Sequence, residues 1–221
     1  RYPLVTGVQT CALPIYKSSG FIFVDLIYHP VLALGPGERI GLWTRGCTIR
    51  CPGCSADHAW EFLEEYKIKT DEAAGEILKY AQAGCRALTI SGGEPFDQPE
   101  ALNALLEAVR RGGVNDIMIY SGYPYESLKK KYGGILDKAD VLIDSPFQAG
   151  VPSKERWRGS GNQNMIILTH DKKLREIYEA FAADNSGGRK LQVITRKDKV
   201  YIIGIGDQDD VAAIRSGFGS I

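Results

Sequence analysis

The sequence predicts an α/β protein built on a parallel sheet with crossover helices. Two observations carry that reading: from Phe21 onward short apolar runs alternate with one-faced helical segments, and glycine or proline marks most of the junctions. A third bounds it, because 221 residues with 44% hydrophobic content suit a single domain with a core large enough to surround a cofactor.

The first strands are expected at Phe21–Tyr28 and Arg39–Thr44, on either side of the turn-forming Gly35-Pro36-Gly37. A helix over Asp71–Ala83 follows from Ala74, Ile77, Leu78 and Ala81, which share one face, with Thr70 placed to cap it and Gly84 to end it. Ala87–Ile90 is a short apolar strand, followed by a glycine-containing loop. Pro99–Arg111 repeats the helical spacing through Leu102, Leu105, Leu106 and Val109, with proline suited to the first turn. A strand at Ile117–Tyr120, a short helix at Tyr125–Tyr132 and a strand at Val141–Ile143 complete this run. The polar stretch Ser145–Asn164 reads as a long loop, and loops of that length are uncommon unless they serve a function. Beyond it come a strand at Met165–Leu168, a helix at Lys172–Ala183, a turn at Ser186-Gly187-Gly188 and two strands, Leu191–Thr195 and Val200–Ile203.

Lys plus Arg and Asp plus Glu both number 27, so no global field draws the chain to nucleic acid or an anionic membrane. No run approaches the length of a membrane span, and neither a nucleic-acid nor a membrane partner is expected. Val5–Ile15 (VTGVQTCALPI) has the look of a translated sequencing adapter, so residues 1–16 are set aside as a non-native segment. Setting Cys11 aside leaves Cys47, Cys51, Cys54 and Cys85. Three clustered cysteines without a matching set point to a cofactor in a reducing, cytoplasmic setting rather than to disulfides.

Cys47-Thr48-Ile49-Arg50-Cys51-Pro52-Gly53-Cys54 places three thiolates on one loop after a strand, as C-x3-C-x2-C. Three thiolates on a four-iron cube leave one iron open to another ligand. Cys85, between a helix end and a strand, reads as a buried thiol rather than a fourth ligand. His58 offers a competing set, because Cys47, Cys51, Cys54 and His58 have acceptable spacing for structural zinc. On the cysteines alone both readings stand.

Ser91-Gly92-Gly93-Glu94-Pro95 follows the next strand. Two glycines let backbone approach a ligand closely, and a carboxylate can accept hydrogen bonds from an ammonium. The same segment also reads as an ordinary strand-to-helix turn. Taken together, the cysteine loop and this glycine–glutamate loop resemble the radical S-adenosylmethionine (SAM) superfamily. Within it the sequence is most similar to activating enzymes of anaerobic ribonucleotide reductases. Further matching pieces are Gly35-Pro36-Gly37 ahead of Ile40–Trp43, Ser121-Gly122-Tyr123, Asp144–Phe147, Trp157–Ser160 and Asn162-Gln163.

The resemblance implies a shortened, open (β/α) partial barrel with mostly parallel strands over residues 17–170, and a small C-terminal α+β extension over 171–221. It implies that Cys47, Cys51 and Cys54 bind a 4Fe–4S cluster whose open iron chelates SAM, and that Ser91, Gly92, Gly93 and Glu94 close over the methionine end. Reductive cleavage of SAM to a 5′-deoxyadenosyl radical would then install a glycyl radical on a partner enzyme, with flavodoxin or ferredoxin as electron donor. The chemistry demands no side-chain acid or base, so no catalytic residue is expected beyond the cluster and SAM. A radical SAM enzyme acting directly on a small molecule or peptide shares the same front half. Ser121 and Asp144 each follow a strand, where ligands gather, and are candidate contacts to SAM or the partner; capping a turn is the alternative for both. Lys154, Arg156 and Arg158 beside Trp157 offer either a carboxylate or partner contact, or a solvated basic loop.

Overall fold

The computed structural model describes residues 20–184, 186, 188–196, 199–206, 213–214 and 216–217, so the adapter-like segment and Cys11 lie outside the described residues. Strand β1 (Phe21–Val31) and strand β2 (Arg39–Thr44) are joined by residues 32–38, too short a link for a crossover helix. They therefore pair antiparallel, with Val24 opposite Thr44 and Val31 opposite Arg39. This corrects the expectation that the parallel pattern begins at Phe21: Gly35-Pro36-Gly37 turns the chain back on itself instead of launching a helix. A three-residue strand, β3 (Lys67–Lys69), pairs with the far edge of β1.

From β2 onward the alternation holds. Helix α1 (Thr70–Gln82) leads to β4 (Ala87–Gly92), helix α2 (Pro99–Arg111) to β5 (Asp116–Tyr120), and helix α3 (Tyr125–Leu136) to β6 (Val141–Asp144). Strands β2, β4, β5 and β6 run parallel and adjacent. Strand β7 (Asn164–Ile167) returns antiparallel against β6. The seven-stranded order is β3-β1-β2-β4-β5-β6-β7, an α/β fold around a mixed sheet with a parallel centre. Ile40, Leu88, Ile90, Ile117 and Ile119 are buried beneath Leu102, Leu105, Leu106 and Val109, so the one-faced stripe of α2 is the contact with the sheet.

Helix α4 (Lys172–Ala183) covers the other end. Tyr178 and Phe181 pack against Met118, Val141 and Ile143, and Trp157 of the long loop joins them. The last strands, β8 (Leu191–Arg196) and β9 (Lys199–Gly204), form a separate antiparallel hairpin. Ile203 of that hairpin packs with Leu26, Val31 and Leu34 at the β1–β2 turn. Among the described residues no helix is long and apolar enough to cross a membrane.

The architecture gives the sheet two rims. The carboxyl ends of β2, β4, β5 and β6 carry the cysteine loop, Ser91–Glu94, Ser121 and Asp144. Their amino ends carry Glu38, Arg39, Cys85 and Asp116.

Candidate active site

The cysteine loop leaves β2 at Thr44 and is tied down by backbone bonds, Gly46 N–H to the Ala59 carbonyl (2.7 Å) and Cys47 N–H to the Trp60 carbonyl (2.9 Å). Cys47, Cys51 and Cys54 are free thiols, all partly buried. Burial pushes the Cys47 and Cys51 thiols up, and for Cys47 the nearby Glu94 and Asp97 carboxylates add to this. A bound cation would reverse that preference by displacing the protons.

Geometry separates the two candidate ligand sets. Zinc holds tetrahedral ligands about 3.4 to 3.8 Å apart, yet the ligand atoms of Cys47, Cys51, Cys54 and His58 do not gather within 4.8 Å of one another. Three soft thiolates on one loop are instead the donor set that an iron–sulfur cube takes, each on a different iron. His58 is turned toward Asp25 instead, Nε2 to Oδ2 3.6 Å, with its side chain 55% exposed. The three-thiolate loop fits an iron–sulfur cube, and His58 does not complete a zinc site.

The loop after β4 packs on the cysteine loop first through backbone. Gly93 N–H donates to the Thr44 carbonyl and Glu94 N–H to the Gly46 carbonyl, both at 2.8 Å. A Cβ on Gly92 would stand 2.3 Å from the Thr44 oxygen, and one on Gly93 would stand 2.2 Å from the Gly46 oxygen; Gly92 is also left-handed, φ +107°. The glycine pair is thus required for contact between the two loops themselves. Ser91 pairs with Trp43 in register, and its carbonyl accepts from Thr44 Oγ1 at 3.2 Å.

Glu94 is 1% exposed. Its Oε1 accepts from Phe96 N–H (3.0 Å) and Ser121 Oγ (2.9 Å), and its Oε2 from Gly122 N–H (2.7 Å). These bonds favour the anion, but desolvation outweighs them and lifts its pKa to about 7. The carboxyl group therefore links the end of β4 to the end of β5. Ser121 serves both sides of that link, because its Oγ also accepts from Tyr123 N–H at 3.1 Å.

Asp144, 5% exposed, is occupied within the fold. Its Oδ2 accepts from Tyr125 N–H at the start of α3 (2.8 Å), and its Oδ1 from Asn164 N–H (3.2 Å), Asn164 Nδ2 (3.0 Å) and Ser145 Oγ (3.1 Å). Of the two roles open to Asp144, the geometry displays the cap. The basic cluster is likewise engaged. Arg158 bonds the carbonyls of Gly161 and Gln163 and pairs with Glu155 at 2.8 Å, while Arg156 pairs with Asp184 at 2.9 Å over the Phe181 ring. Only Lys154 of the three is exposed. The loop 145–163 is therefore an internally bonded structure rather than a solvated basic strip.

Two residues of the site escaped the sequence reading. Asp97 accepts from Thr48 N–H (2.6 Å) and Tyr123 Oη (2.7 Å), connecting the cysteine loop to the β5 exit. Gln98 bonds Phe23 N–H (2.7 Å) and donates to the Arg45 carbonyl (3.0 Å), anchoring the base of the cysteine loop. Their only signal was position, directly beyond Glu94 and Pro95 in a loop already marked as functional.

Comparison with known proteins agrees with this arrangement. The family described as "4Fe-4S single cluster domain" matches residues 33–166, a span that takes in all the loops above. The anaerobic ribonucleoside-triphosphate reductase-activating protein of Enterobacteria phage T4 is 30% identical over 145 residues, covering 64% of this chain and 91% of the relative. Its counterpart from Vibrio cholerae is 34% identical over 146 residues, covering 62% and 92%. Among solved structures, QueE from Escherichia coli is 16% identical, with a TM-score of 0.41 over 56% of this chain and 70% of that one, too loose a likeness to carry an argument. By the span of the family match and the coverage of these relatives, the chain belongs to the 4Fe–4S single cluster domain family, as a radical SAM enzyme of the activating-protein type whose cofactors are a 4Fe–4S cluster and SAM.

Proposed function

We propose that this enzyme installs a glycyl radical on a partner, an anaerobic ribonucleotide reductase, with Cys47, Cys51 and Cys54 as the cluster ligands. The observation that carries the reading is the backbone union of the cysteine loop with Gly92–Glu94 on the carboxyl rim of the sheet. It is supported by relatives named as reductase-activating proteins that this chain covers almost end to end. A 4Fe–4S cluster with SAM supplies one-electron reductive cleavage of the sulfonium, the source of a 5′-deoxyadenosyl radical.

The protein's part is to hold and shield. Cys47, Cys51 and Cys54 would hold the cluster as thiolates, three ligands for four irons. Ser91, Gly92 and Gly93 hold the β4 exit against the cysteine loop, where they would line the cofactor's side of the rim, and Glu94, braced by Ser121 and Gly122, fixes the distance between the exits of β4 and β5. Asp144 keeps the rim of β6 closed from the other side. In this reading residues 17–170 are the catalytic core, a shortened open (β/α) barrel, and 171–221 are an extension packed on it. Flavodoxin or ferredoxin supplies the electron, in the cytoplasm.

The test is anaerobic reconstitution followed by reduction with dithionite in the presence of SAM and an anaerobic ribonucleotide reductase. The expected products are 5′-deoxyadenosine and a glycyl-radical resonance on the reductase. A colourless protein holding one zinc and no iron, with no SAM cleavage, would end the radical reading. SAM cleavage with no radical on the reductase would replace the activase by an enzyme acting directly on a small molecule or peptide.

A further inference from the structure

At the amino rim of the sheet, three metal-ligating side chains from three separate segments converge. His29 lies on β1, Glu38 in the turn before β2, and Cys85 in the link from α1 to β4. His29 Nε2 is 2.9 Å from Glu38 Oε1, and one ligand atom from each of His29, Glu38 and Cys85 lies within 4.8 Å of the other two. Among the described residues no other group of three histidine, cysteine or acidic side chains gathers so closely.

We propose that His29, Glu38 and Cys85 form a second metal site that takes one zinc ion. The ligand set argues for that metal: one imidazole, one carboxylate and one thiolate match zinc's borderline preference, whereas magnesium or calcium would want oxygens throughout. Charge agrees as well, because a carboxylate and a thiolate together balance a divalent cation. Distances require little change. Tetrahedral zinc at ordinary bond lengths puts its ligand atoms about 3.4 to 3.6 Å apart. The His29–Glu38 pair would open slightly and the sulfur would close by ~1.4 Å at most.

The surroundings prepare each ligand differently. The His29 ring stacks on Tyr80, centroids 5.0 Å apart at 28°, which sets its plane. Cys85 Sγ contacts the Glu38 carbonyl at 3.5 Å and the Ala87 carbonyl at 3.8 Å, weak thiol hydrogen bonds that cost little to exchange for a metal. Glu38 has a 55% exposed side chain and is free to adjust. Three protein ligands beside solvent leave the fourth position to water or an incoming group. The six residues of β2 separate this triad from the cysteine loop, about 20 Å of extended chain, so the ion is independent of the cluster.

The cluster-loaded protein is equilibrated anaerobically with zinc chloride, desalted, and its metals counted. One zinc per chain in addition to the cluster iron is expected. Cys85→Ser and His29→Gln should each weaken zinc binding by at least ~10-fold while iron content stays unchanged. Glu38→Gln, at an exposed position that no packing depends on, should also weaken it. In a cluster-free Cys47→Ser/Cys51→Ser/Cys54→Ser protein, cobalt(II) should give a thiolate charge-transfer band that Cys85→Ser removes. Retention of no zinc by the loaded protein overturns the proposal. Zinc that binds equally well in Glu38→Gln and Cys85→Ser, with no thiolate band from cobalt, overturns it too.

Discussion

The two rims of the parallel sheet use similar residues for opposite ends. On the amino rim Arg39 is completely buried and fully paired. Its guanidinium holds both oxygens of Asp116 at 2.5 and 3.0 Å, Thr89 Oγ1 at 2.7 Å and the Leu88 carbonyl at 2.9 Å, while Tyr178 Oη adds a 2.6 Å bond to Asp116. Arg110 and Asp140 repeat the device one strand further along, at 2.5 Å. These charges are spent on joining strand to strand and α4 to the sheet. On the carboxyl rim the carboxylates of Glu94, Asp97 and Asp144 bond backbone N–H groups, hydroxyls and an amide rather than arginine. Three free thiols, Cys47, Cys51 and Cys54, stand on this ordered platform. The difference follows the rule for parallel α/β sheets, in which one end of the strands carries stability and the other chemistry.

Breaking each rim should have a different signature. The largest effect is expected from Cys51→Ser, which should abolish the visible absorbance of the reconstituted cluster and all SAM cleavage, while the fold, followed by circular dichroism, persists. Cys85→Ser is the matched control on the other rim and should leave that absorbance intact. Next is Gly92→Ala: a Cβ 2.3 Å from the Thr44 oxygen must part the two loops, and SAM cleavage should fall by roughly 100-fold, as expected when a reacting centre moves by about 1 Å. Arg39→Met is the converse change. It strands Asp116 beneath α4 and should cost about 3–5 kcal/mol, read as a lower midpoint in denaturant, with the cluster spectrum of the folded fraction unchanged.

The smallest effect is a pH slope. Burial raises the folded pKa of Glu94 to about 7, above its ordinary 4.5. The folded state therefore holds this proton more tightly than the unfolded chain. The resulting stabilisation is full below pH 4.5 and is lost as pH rises through about 7. Stability of the cluster-free protein should accordingly fall between pH 5 and pH 8, and Glu94→Gln should flatten that fall. An unchanged slope in the variant would place the titrating group elsewhere.

Most of the frame was legible because its signals are local. The stripe Leu102, Leu105, Leu106 and Val109 could only be a helix face, and it is the face that α2 buries. The cysteine loop was legible for a similar reason, since its spacing is contained in eight residues. What escaped depends on partners distant in sequence. Nothing in Lys67-Ile68-Lys69 announces a strand, because three residues form one only when the edge of β1 is there to receive them. The antiparallel start was hidden because the parallel reading of the alternation reaches back to Phe21, although Gly35-Pro36-Gly37 reads as a turn. Gly92 and Gly93 were recognised as permitting close approach, but what approaches is the carbonyl of Thr44 or Gly46, some 47 residues earlier in the chain. Arg39 looked like the first residue of a strand, and its burial follows from Asp116 and Tyr178, both far along the sequence.

The contact between Gly92–Glu94 and Thr44–Gly46 also defines what can be transplanted. Each loop supplies the surface on which the other is shaped, so a graft of the eight-residue cysteine segment into a foreign scaffold would carry the sulfurs without the mould that spaces them. The smallest portable unit is two neighbouring parallel strands with both of their exits. A single side chain added at either glycine separates the halves of the cradle.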